Sequence, residues 1–313
     1  MYGTRQEFKY TECARCGCVQ LDKAPEDLSE FYPEQYYSLS ISSESQALAT
    51  ESNIKRSIRS ARDRYLLGQR SIIGALATRV LGQPRYFSWM KDAAANQSSR
   101  ILDVGSGVGS LVFRMTNAGF SNVSGIDPYI VEDIQFANGA VVNKSTLESV
   151  KGPFDLVMLH HSFEHMPDPH EQLVHIRRIL SSNGVVLIRM PVAGTYAWNT
   201  YGVDWVQLDA PRHLVLHTEK SMAILAANAG FSVSLVKFDS TDFQFWGSEL
   251  YANDVALFEG IDSSNPKPPI TRKQFHQYRK QAAQLNASGQ GDQAEFYLRI
   301  NDQLPGQSDF SGV

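Results

Sequence analysis

The residues with the clearest chemical potential are three alternating glycines, Gly105, Gly107 and Gly109, in the segment ILDVGSGVGS. The apolar residues before them predict a buried strand, and the glycines predict a tight turn into a helix, where backbone can approach a ligand closely. Asp103, two residues before the first glycine, favours a cationic or amine-bearing ligand over a pyrophosphate. A dinucleotide-binding turn is the alternative, but it requires a third glycine or an alanine where this chain has Ser110.

A second acidic residue follows this turn at the spacing expected of a nucleoside site. The segment SNVSGID predicts a short strand that ends at Asp127, a little under twenty residues after Gly109. In a doubly wound sheet this position faces the ligand crevice, where a carboxylate accepts hydrogen bonds from both ribose hydroxyls. We therefore predict a ribose contact for Asp127, with a solvated acid at a strand end as the alternative.

Histidines are concentrated after the apolar run FDLVMLH, which predicts a central strand. His160, His161, Glu164 and His165, here called the histidine–glutamate cluster, stand at the carboxyl end of that strand, where open α/β sheets place their chemistry. Two functions suit this cluster: a general base for a substrate hydroxyl, or a divalent metal site. The alternative is structural, with Glu164 and His165 anchoring the loop by hydrogen bonds.

A polar segment farther along the chain, DWVQLDAPRH, ends at His213. It is predicted to lie in a long connection after the fifth strand, before a helix that starts near Thr218. Trp205, Arg212 and His213 would then form a lid over the substrate, and His213 is a candidate fourth metal ligand with His161, Glu164 and His165. The alternative is that Arg212 pairs with Asp209 and braces the loop.

All three cysteines, Cys13, Cys16 and Cys18, lie near the amino terminus in the segment CARCGC. Their odd number and close spacing do not indicate a disulfide framework. Cys-x-x-Cys-Gly resembles one knuckle of a zinc ribbon, but structural zinc takes four ligands and no second pair follows. We therefore favour a ribbon remnant over a zinc site, in which Cys18, His161 or His213 would be the further ligands.

The chain divides by sequence pattern into four segments. These are a knuckle and aromatic segment over 1–40, a helical cap over 41–98, a core of alternating strand and helix patterns over 99–240, and a C-terminal helical extension over 241–313. The alternation in the third segment predicts a parallel sheet. The aromatic stretch FYPEQYYSL and the C-terminal helix are expected to shape the substrate pocket.

Local signals also predict where helices begin and end. Pro167 and Pro169 mark one helix start, and Thr218 and Thr271 mark two others, because proline suits the first helical turn and threonine suits the N-cap. Gly119 marks a helix end, and the segment 181–184 (SSNG) is expected to end another helix before the fifth strand.

Composition describes an ordinary globular protein of 313 residues, 42% hydrophobic and 20% charged. A net charge of −4 provides no overall basic field, so nucleic acid is not an expected partner. No apolar run has membrane-spanning length and MYGTRQEFKY lacks the apolar stretch of a signal peptide, so we expect no membrane partner and predict a cytoplasmic location. The basic stretch 55–70 is interpreted as a solvated helix face, with contact to a phosphate-bearing substrate as the alternative.

Four segments in order, ILDVGSGVGS, GIDPY, FDLVMLHHSFEHMPDP and QLDAPRHLVLH, resemble bacterial class I methyltransferases typed by the ubiquinone-biosynthesis O-methyltransferases. The resemblance covers about residues 99–240. The CxxCG opening and the ending GDQAEFYL are similar to a subgroup found with glycan or natural-product biosynthesis. This family implies a Rossmann-like α/β fold, with a seven-stranded sheet that has one antiparallel edge strand and helices on both faces. It also implies S-adenosylmethionine as methyl donor.

The resemblance further implies which residues contact the cofactor. They are Asp103, Gly105, Ser106, Gly107, Gly109 and Asp127, with Thr146 and Leu147 near the adenine and His160 near the methionine end. Some relatives bind a divalent metal through Glu-x-x-Glu-His after the fourth strand, and here His161 replaces the first glutamate of that motif. A histidine-rich ligand set favours zinc, iron or manganese over magnesium.

These features together predict O-methylation of a small molecule or sugar. A hydroxyl acceptor needs a base or a metal near neutral pH, and His165 or His161 suits the base role with Glu164 orienting the imidazole. The alternatives are C- or N-methylation, a non-methyl reaction with the same cofactor, and a non-catalytic relative that serves as a binding partner. Asp103 argues against the last alternative, since a chain without cofactor does not need it. The oligomeric state is left open.

Overall fold

The computed structural model describes residues 6–31, 53–257 and 270–301. The chain forms two compact units. Unit 1 comprises Met1–Pro33, His161–Glu171 and Ile188–Val313, and unit 2 comprises Glu34–His160 and Gln172–Leu187. Of the aromatic stretch FYPEQYYSL, all residues after Phe31 lie outside the described ranges.

Unit 2 is built on a mostly parallel sheet. Its strands are β3 (Ile101–Val104), β4 (Val123–Ile126), β5 (Ile134–Gln135), β6 (Val141–Asn143), β7 (Phe154–His160) and the first part of β8 (Leu180–Pro191). They lie in the order β8-β7-β3-β4-β6-β5. β3 pairs in parallel with β4 and β7, and β4 with β6, whereas β5 is antiparallel to β6. All four residues of β3 are buried, as expected for a strand covered on both faces, and the predicted parallel α/β sheet is confirmed.

Helices flank this sheet. They are α1 (Asn53–Leu66), α2 (Ile72–Leu81), α3 (Arg85–Ala93), α4 (Ser110–Ala118) and α5 (Pro169–Ile179). The predicted stop of α4 at Gly119 is confirmed: its φ is +104° and its amide donates to the carbonyls of Met115 and Thr116. The predicted start of α5 at Pro169 is confirmed as well.

The segment 181–184 is not the turn that its sequence predicts. β8 begins at Leu180, directly after α5, so these residues are part of the strand. The Ser181 hydroxyl donates to Asp155 Oδ1 of β7 at 3.2 Å, and this bond to the neighbouring strand holds the segment in the sheet.

Unit 1 contains a small antiparallel sheet and a strand pair. β1 (Tyr10–Glu12), β2 (Val19–Leu21) and β9 (Val215–Leu216) form a three-stranded sheet in that order. β10 (Phe231–Phe238) pairs antiparallel with β11 (Gln293–Ile300), and β11 lies between β10 and β8.

The antiparallel strand expected at a sheet edge therefore lies inside the sheet. β11 comes from the predicted helical extension, and its first six residues are buried. The antiparallel edge strand is instead the two-residue β5, which adds a strand to the expected seven.

Among its described residues, unit 1 also contains the α-helices α6 (Tyr196–Tyr201), α7 (Glu219–Asn228), α8 (Phe243–Ala252) and α9 (Arg272–Ala287). Thr218 caps α7 and Thr271 caps α9, and in both cases the third residue of the helix bonds back to the cap. Both predicted helix starts are confirmed. Within the described ranges, no helix combines the length and the apolar character needed to cross a membrane.

Candidate functional site

The glycine turn of unit 2 joins β3 to α4 and depends on glycine at each position. Gly105, Gly107 and Gly109 have φ values of +72°, +53° and +78°, which side chains rarely allow. A Cβ atom at Gly109 would lie 2.4 Å from Val142 Cγ2. The turn is braced by Asp127, whose Oδ2 accepts a hydrogen bond of 2.9 Å from the Gly107 amide. Glycine at position 109 therefore lets the start of α4 pack closely against β6.

Asp103 and Asp127 place two carboxyl groups beside this turn. Asp103 is buried at the end of β3, and burial together with the charge of Asp127 raises its pKa to about 7. Two carboxylates that are buried side by side repel each other. A positively charged ligand reduces this repulsion, whereas an anionic ligand would add to it. The sulfonium and amino groups of S-adenosylmethionine meet this requirement, so the residues present fit that cofactor.

The other predicted cofactor contacts also lie in unit 2. Asp127 Oδ1 accepts from the amide of Tyr129 at 2.9 Å, so each oxygen of this carboxylate has one protein partner and retains acceptor capacity for ribose hydroxyls. Thr146 precedes a short 3-10 turn over Leu147–Ser149, and Leu147 is buried. Ser106 lies within the glycine turn.

His160 ends β7 and stacks on Trp89. The two ring centroids are 4.2 Å apart with an interplanar angle of 30°. Sequence reasoning missed Trp89, because an aromatic residue in a helix is more often a core residue than part of a site.

Unit 1 brings the rest of the histidine–glutamate cluster together with His213. Glu164 is 1% exposed, and its Oε1 lies 3.5 Å from His161 Nδ1 and 3.9 Å from His213 Nε2. The rings of His165 and His213 are 4.7 Å apart. Glu164, His165 and His213 each offer one ligand atom, and these atoms lie within 4.8 Å of one another. The three therefore form a triad with the spacing of a metal site, in which Glu164 and His213 are buried and His165 is half-buried.

Hydrogen bonds to backbone carbonyls determine which ring nitrogen carries the proton in each triad histidine. His165 Nδ1 lies 2.9 Å from the Arg212 carbonyl, and His213 Nδ1 lies 2.6 Å from the Gln207 carbonyl. Because a carbonyl only accepts, each Nδ1 carries the proton and each Nε2 keeps its lone pair. This arrangement is typical of metal-binding histidines, whose second nitrogen donates to a carbonyl or carboxylate.

His161 has the same tautomer, but its second ring nitrogen is already engaged. Its Nε2 lies 2.7 Å from Arg189 Nη1, which can only donate, so Nδ1 carries the proton and faces Glu164. Arg189 is held in turn by Asp239, whose Oδ2 lies 2.6 Å from Arg189 Nε, and Gln293 donates to the other oxygen of Asp239. Both nitrogens of His161 are thus engaged. It orients Glu164 and is less suited to be a ligand or a base than the sequence motif predicts.

Arg189 and Asp239 were not among the predicted site residues. Arg189 stood out in the sequence only as the charge that interrupts the apolar run of the fifth strand. A charged side chain within a buried strand was the one available signal, since such residues are almost always paired.

Two members of the triad, Glu164 and His213, have shifted pKa values. Burial opposes ionisation of Glu164, but the hydrogen bond from His161 and the nearby histidines outweigh it and lower the pKa of Glu164 to about 2. Burial, and then His165, lower the pKa of His213 to about 4. The site therefore presents a buried carboxylate to a neutral imidazole, and a divalent cation would complete this donor set.

The predicted lid over the substrate is not formed by Trp205. This side chain is fully buried with Val19, Leu208 and Leu216, and its indole nitrogen donates to Asp292 Oδ2 at 3.0 Å. Arg212 is also buried and pairs with Asp209, as the structural alternative predicted. The segment is thus part of the core of unit 1, and only His213 belongs to the candidate site.

The three cysteines form a second cluster in unit 1. Cys13, Cys16 and Cys18 have sulfur atoms within 4.8 Å of one another, and all three are half-buried thiols without disulfide bonds. Bonds from the Cys13 amide to the Cys18 carbonyl and from the Gly17 amide to the Cys13 carbonyl close the loop. No fourth ligand joins this group within the described residues, so His161 and His213, predicted as alternatives, are not part of it.

Comparison with known proteins agrees with this geometry. Residues 81–236 match the family model described as a methyltransferase domain. Ubiquinone biosynthesis O-methyltransferase from Pseudomonas aeruginosa is 28% identical over 144 residues, a match that covers 41% of this chain and 61% of that protein. The protein of the same description from Pseudomonas paraeruginosa is 29% identical over 144 residues, with the same coverage.

Solved structures show weaker similarity. A cyclopropane synthase from Mycobacterium tuberculosis is 20% identical, covering 64% of this chain and 78% of that chain, with a TM-score of 0.40. Magnesium protoporphyrin IX methyltransferase from Synechocystis, solved with bound S-adenosylhomocysteine, is 15% identical, covering 69% and 94%, with a TM-score of 0.41. The fold is defined by the strand order described above.

Fold and glycine turn together define a Rossmann-like α/β domain. The chain belongs, over residues 81–236, to the methyltransferase domain family that uses S-adenosylmethionine. Its alignment spans about three fifths of the length of the curated relatives.

Proposed function

We propose that this chain is an S-adenosylmethionine-dependent O-methyltransferase that acts on a small molecule or on a sugar or glycan intermediate. The observation that carries the proposal is the triad of Glu164, His165 and His213, which is arranged to receive a cation and of which Glu164 and His165 lie just after β7 in the chain. We also propose a cytoplasmic location, because three thiols without disulfides suit a reducing compartment.

The donor half of the reaction is assigned to unit 2. S-adenosylmethionine supplies an electrophilic methyl group on a sulfonium centre. The glycine turn over 105–109 provides close backbone approach, Asp103 provides negative charge for the cationic ligand, and Asp127 provides acceptors for the ribose hydroxyls. Thr146, Leu147 and His160 are proposed to complete this site, as the family resemblance implies. These residues bind and orient the donor.

The acceptor half is assigned to unit 1. A bound divalent cation lowers the pKa of a hydroxyl that it contacts. Glu164, His165 and His213 would hold that cation, and the two imidazoles favour zinc, iron or manganese over magnesium. His161 keeps the Glu164 carboxylate in place through its Nδ1 proton. If no metal binds, His165 remains the candidate base that removes the acceptor proton.

The test measures cofactor binding and metal binding in separate titrations. Calorimetric titration with S-adenosylmethionine, and separately with Mn²⁺ or Zn²⁺ after chelator treatment, should give binding in both titrations. Release of S-adenosylhomocysteine is then measured with panels of hydroxyl acceptors, with and without chelator. Turnover that persists in chelator would remove the metal from the proposal, and turnover only with amine or carbon acceptors would replace O-methylation. A folded chain that binds no S-adenosylmethionine would favour a non-catalytic binding protein.

A further inference from the structure

Exposed apolar side chains are concentrated in one helical hairpin. Among the described residues, 13 large hydrophobic side chains are exposed, and eight of them lie in α1, α2 and the connection between them. Single exposed apolar residues are normal on a protein surface, whereas a contiguous group indicates a binding surface. We call residues 53–82 the apolar hairpin.

The apolar hairpin is built with small residues inside and large residues outside. On α2, Gly74 and Ala77 are buried, whereas Ile72, Leu76 and Val80 are 91%, 63% and 74% exposed. These three residues are four apart, so they form a stripe along one side of α2. Soluble helices normally turn such a stripe toward the core, so this face is shaped for an apolar environment outside the domain.

Close packing between the two helices fixes this orientation. A Cβ atom at Gly74 would lie 2.4 Å from the Ala61 carbonyl oxygen and 2.5 Å from Tyr65 Cβ, so the helices approach as closely as glycine allows. Because the small residues of α2 face α1, a rotation that turned the isoleucines of α2 inward would break this close contact between the two helices.

Charge in the apolar hairpin is one-sided. Seven basic residues and one acid lie between 53 and 82, a net charge of +6 in a chain whose total is −4. The one acid, Asp63, is buried and pairs with Arg62. The exposed charge is therefore positive, with Arg64, Arg70 and Arg79 among its exposed members.

We propose that the apolar hairpin docks this protein on a membrane surface that carries anionic lipid headgroups. An apolar stripe bordered by lysine and arginine is the composition of helices that lie in the membrane interface, where basic residues are attracted to anionic lipid. Such docking needs no spanning helix, and it departs from the sequence-based expectation of no membrane partner, which considered only spanning segments and a signal peptide. A second copy of the chain fits less well, because it would bring two surfaces of charge +6 together.

The experiment is co-sedimentation of the full chain with vesicles of phosphatidylcholine, with and without about one third phosphatidylglycerol. We expect binding to the mixed vesicles, weak binding to pure phosphatidylcholine, and at least tenfold weaker binding when salt rises from about 0.1 M to about 1 M. The triple variant Ile72→Ser, Leu76→Ser, Val80→Ser should bind at least tenfold more weakly than the parent chain.

A matched control removes equally exposed aliphatic residues elsewhere. Val131, Val203 and Ile224 are exposed outside the apolar hairpin, and their replacement by serine should leave vesicle binding unchanged. Circular dichroism confirms folding of both triple variants. Equal loss in both variants, or a parent chain that stays in solution with every vesicle, would overturn the proposal. A dimer in sedimentation velocity that only the α2 variant disrupts would identify a second copy as the occupant.

Discussion

The glycine turn and the Glu164 triad are built in different ways. The turn is made by consecutive residues, 103–109, whose backbone angles create the binding surface, with Asp127 as a brace. The triad is assembled from 161–165 and 207–213, and it is oriented by Arg189 and Asp239, which are distant in sequence. Local backbone therefore determines one site, and tertiary hydrogen bonds determine the other. The two sites should respond independently to substitution.

Glu164→Gln should have the largest effect. The substitution removes the only carboxylate of the triad while keeping its shape, so we expect metal affinity to fall by more than about 100-fold, which exceeds the usual effect of changing an outer partner of a ligand. Calorimetry with Mn²⁺ or Zn²⁺ measures this loss. S-adenosylmethionine affinity should not change, and a parallel loss of both would show that the two regions are not independent.

Asp103→Asn tests the other region. Replacing the acid with an amide removes a charged partner for the cationic donor, and we expect S-adenosylmethionine to bind about 10- to 100-fold more weakly, or about 1.5–3 kcal/mol. The same titration on Glu132→Gln, an exposed carboxylate of unit 2, is the control and should give the parent affinity. Unchanged affinity in Asp103→Asn would remove this residue from the proposed cofactor site.

The pH dependence of stability should report on the triad. His213 stays neutral in the folded chain down to a pKa of about 4, whereas an unfolded histidine has a pKa of about 6.5. As pH falls through this window the unfolded chain binds the proton first, so the free energy of unfolding decreases. His213 alone contributes about 1.4 kcal/mol per pH unit there. Urea unfolding with chelator present, repeated across this pH window, gives the free energy of unfolding as a function of pH. This free energy should depend less steeply on pH in His213→Asn than in the parent chain, and an identical pH dependence would contradict the burial argument.

Gly109→Ala should have the smallest and most local effect. A left-handed φ costs an alanine about 1–2 kcal/mol, and here the new methyl also meets Val142. Gly139→Ala is the matched control, because its φ is +86° but no atom lies within 4 Å of the added methyl. Unfolding experiments should therefore show a greater loss of stability for Gly109→Ala, together with weaker cofactor binding. Equal effects would mean that φ alone explains the need for glycine at position 109.

Local signals in the sequence predicted the elements that local physics determines. The strand, turn and helix around Gly105, the stop at Gly119 and the caps at Thr218 and Thr271 follow from side chains that act on neighbouring backbone. The same reasoning located the histidine–glutamate cluster, because it directly follows β7.

Other features depend on contacts between residues that are distant in sequence, and no local sequence pattern predicts such contacts. The sequence predicts that Trp205 is a loop residue. In the structure it lies in the core, and Asp292, 87 positions away, accepts its hydrogen bond. The sequence predicts that the residues of β11 belong to a terminal helical extension. In the structure they form the strand between β8 and β10. Arg189 gains its role only when Asp239 and His161 meet it in the folded chain.

The paired acids beside the glycine turn also couple ligand binding to proton release. With a pKa of about 7, Asp103 is close to half-protonated in a neutral solution. A cation that binds beside it favours the ionised form, so the proton leaves as the ligand enters. Affinity for a cationic donor should therefore increase as pH rises through 7, and the measured heat of binding should vary with the ionisation enthalpy of the buffer.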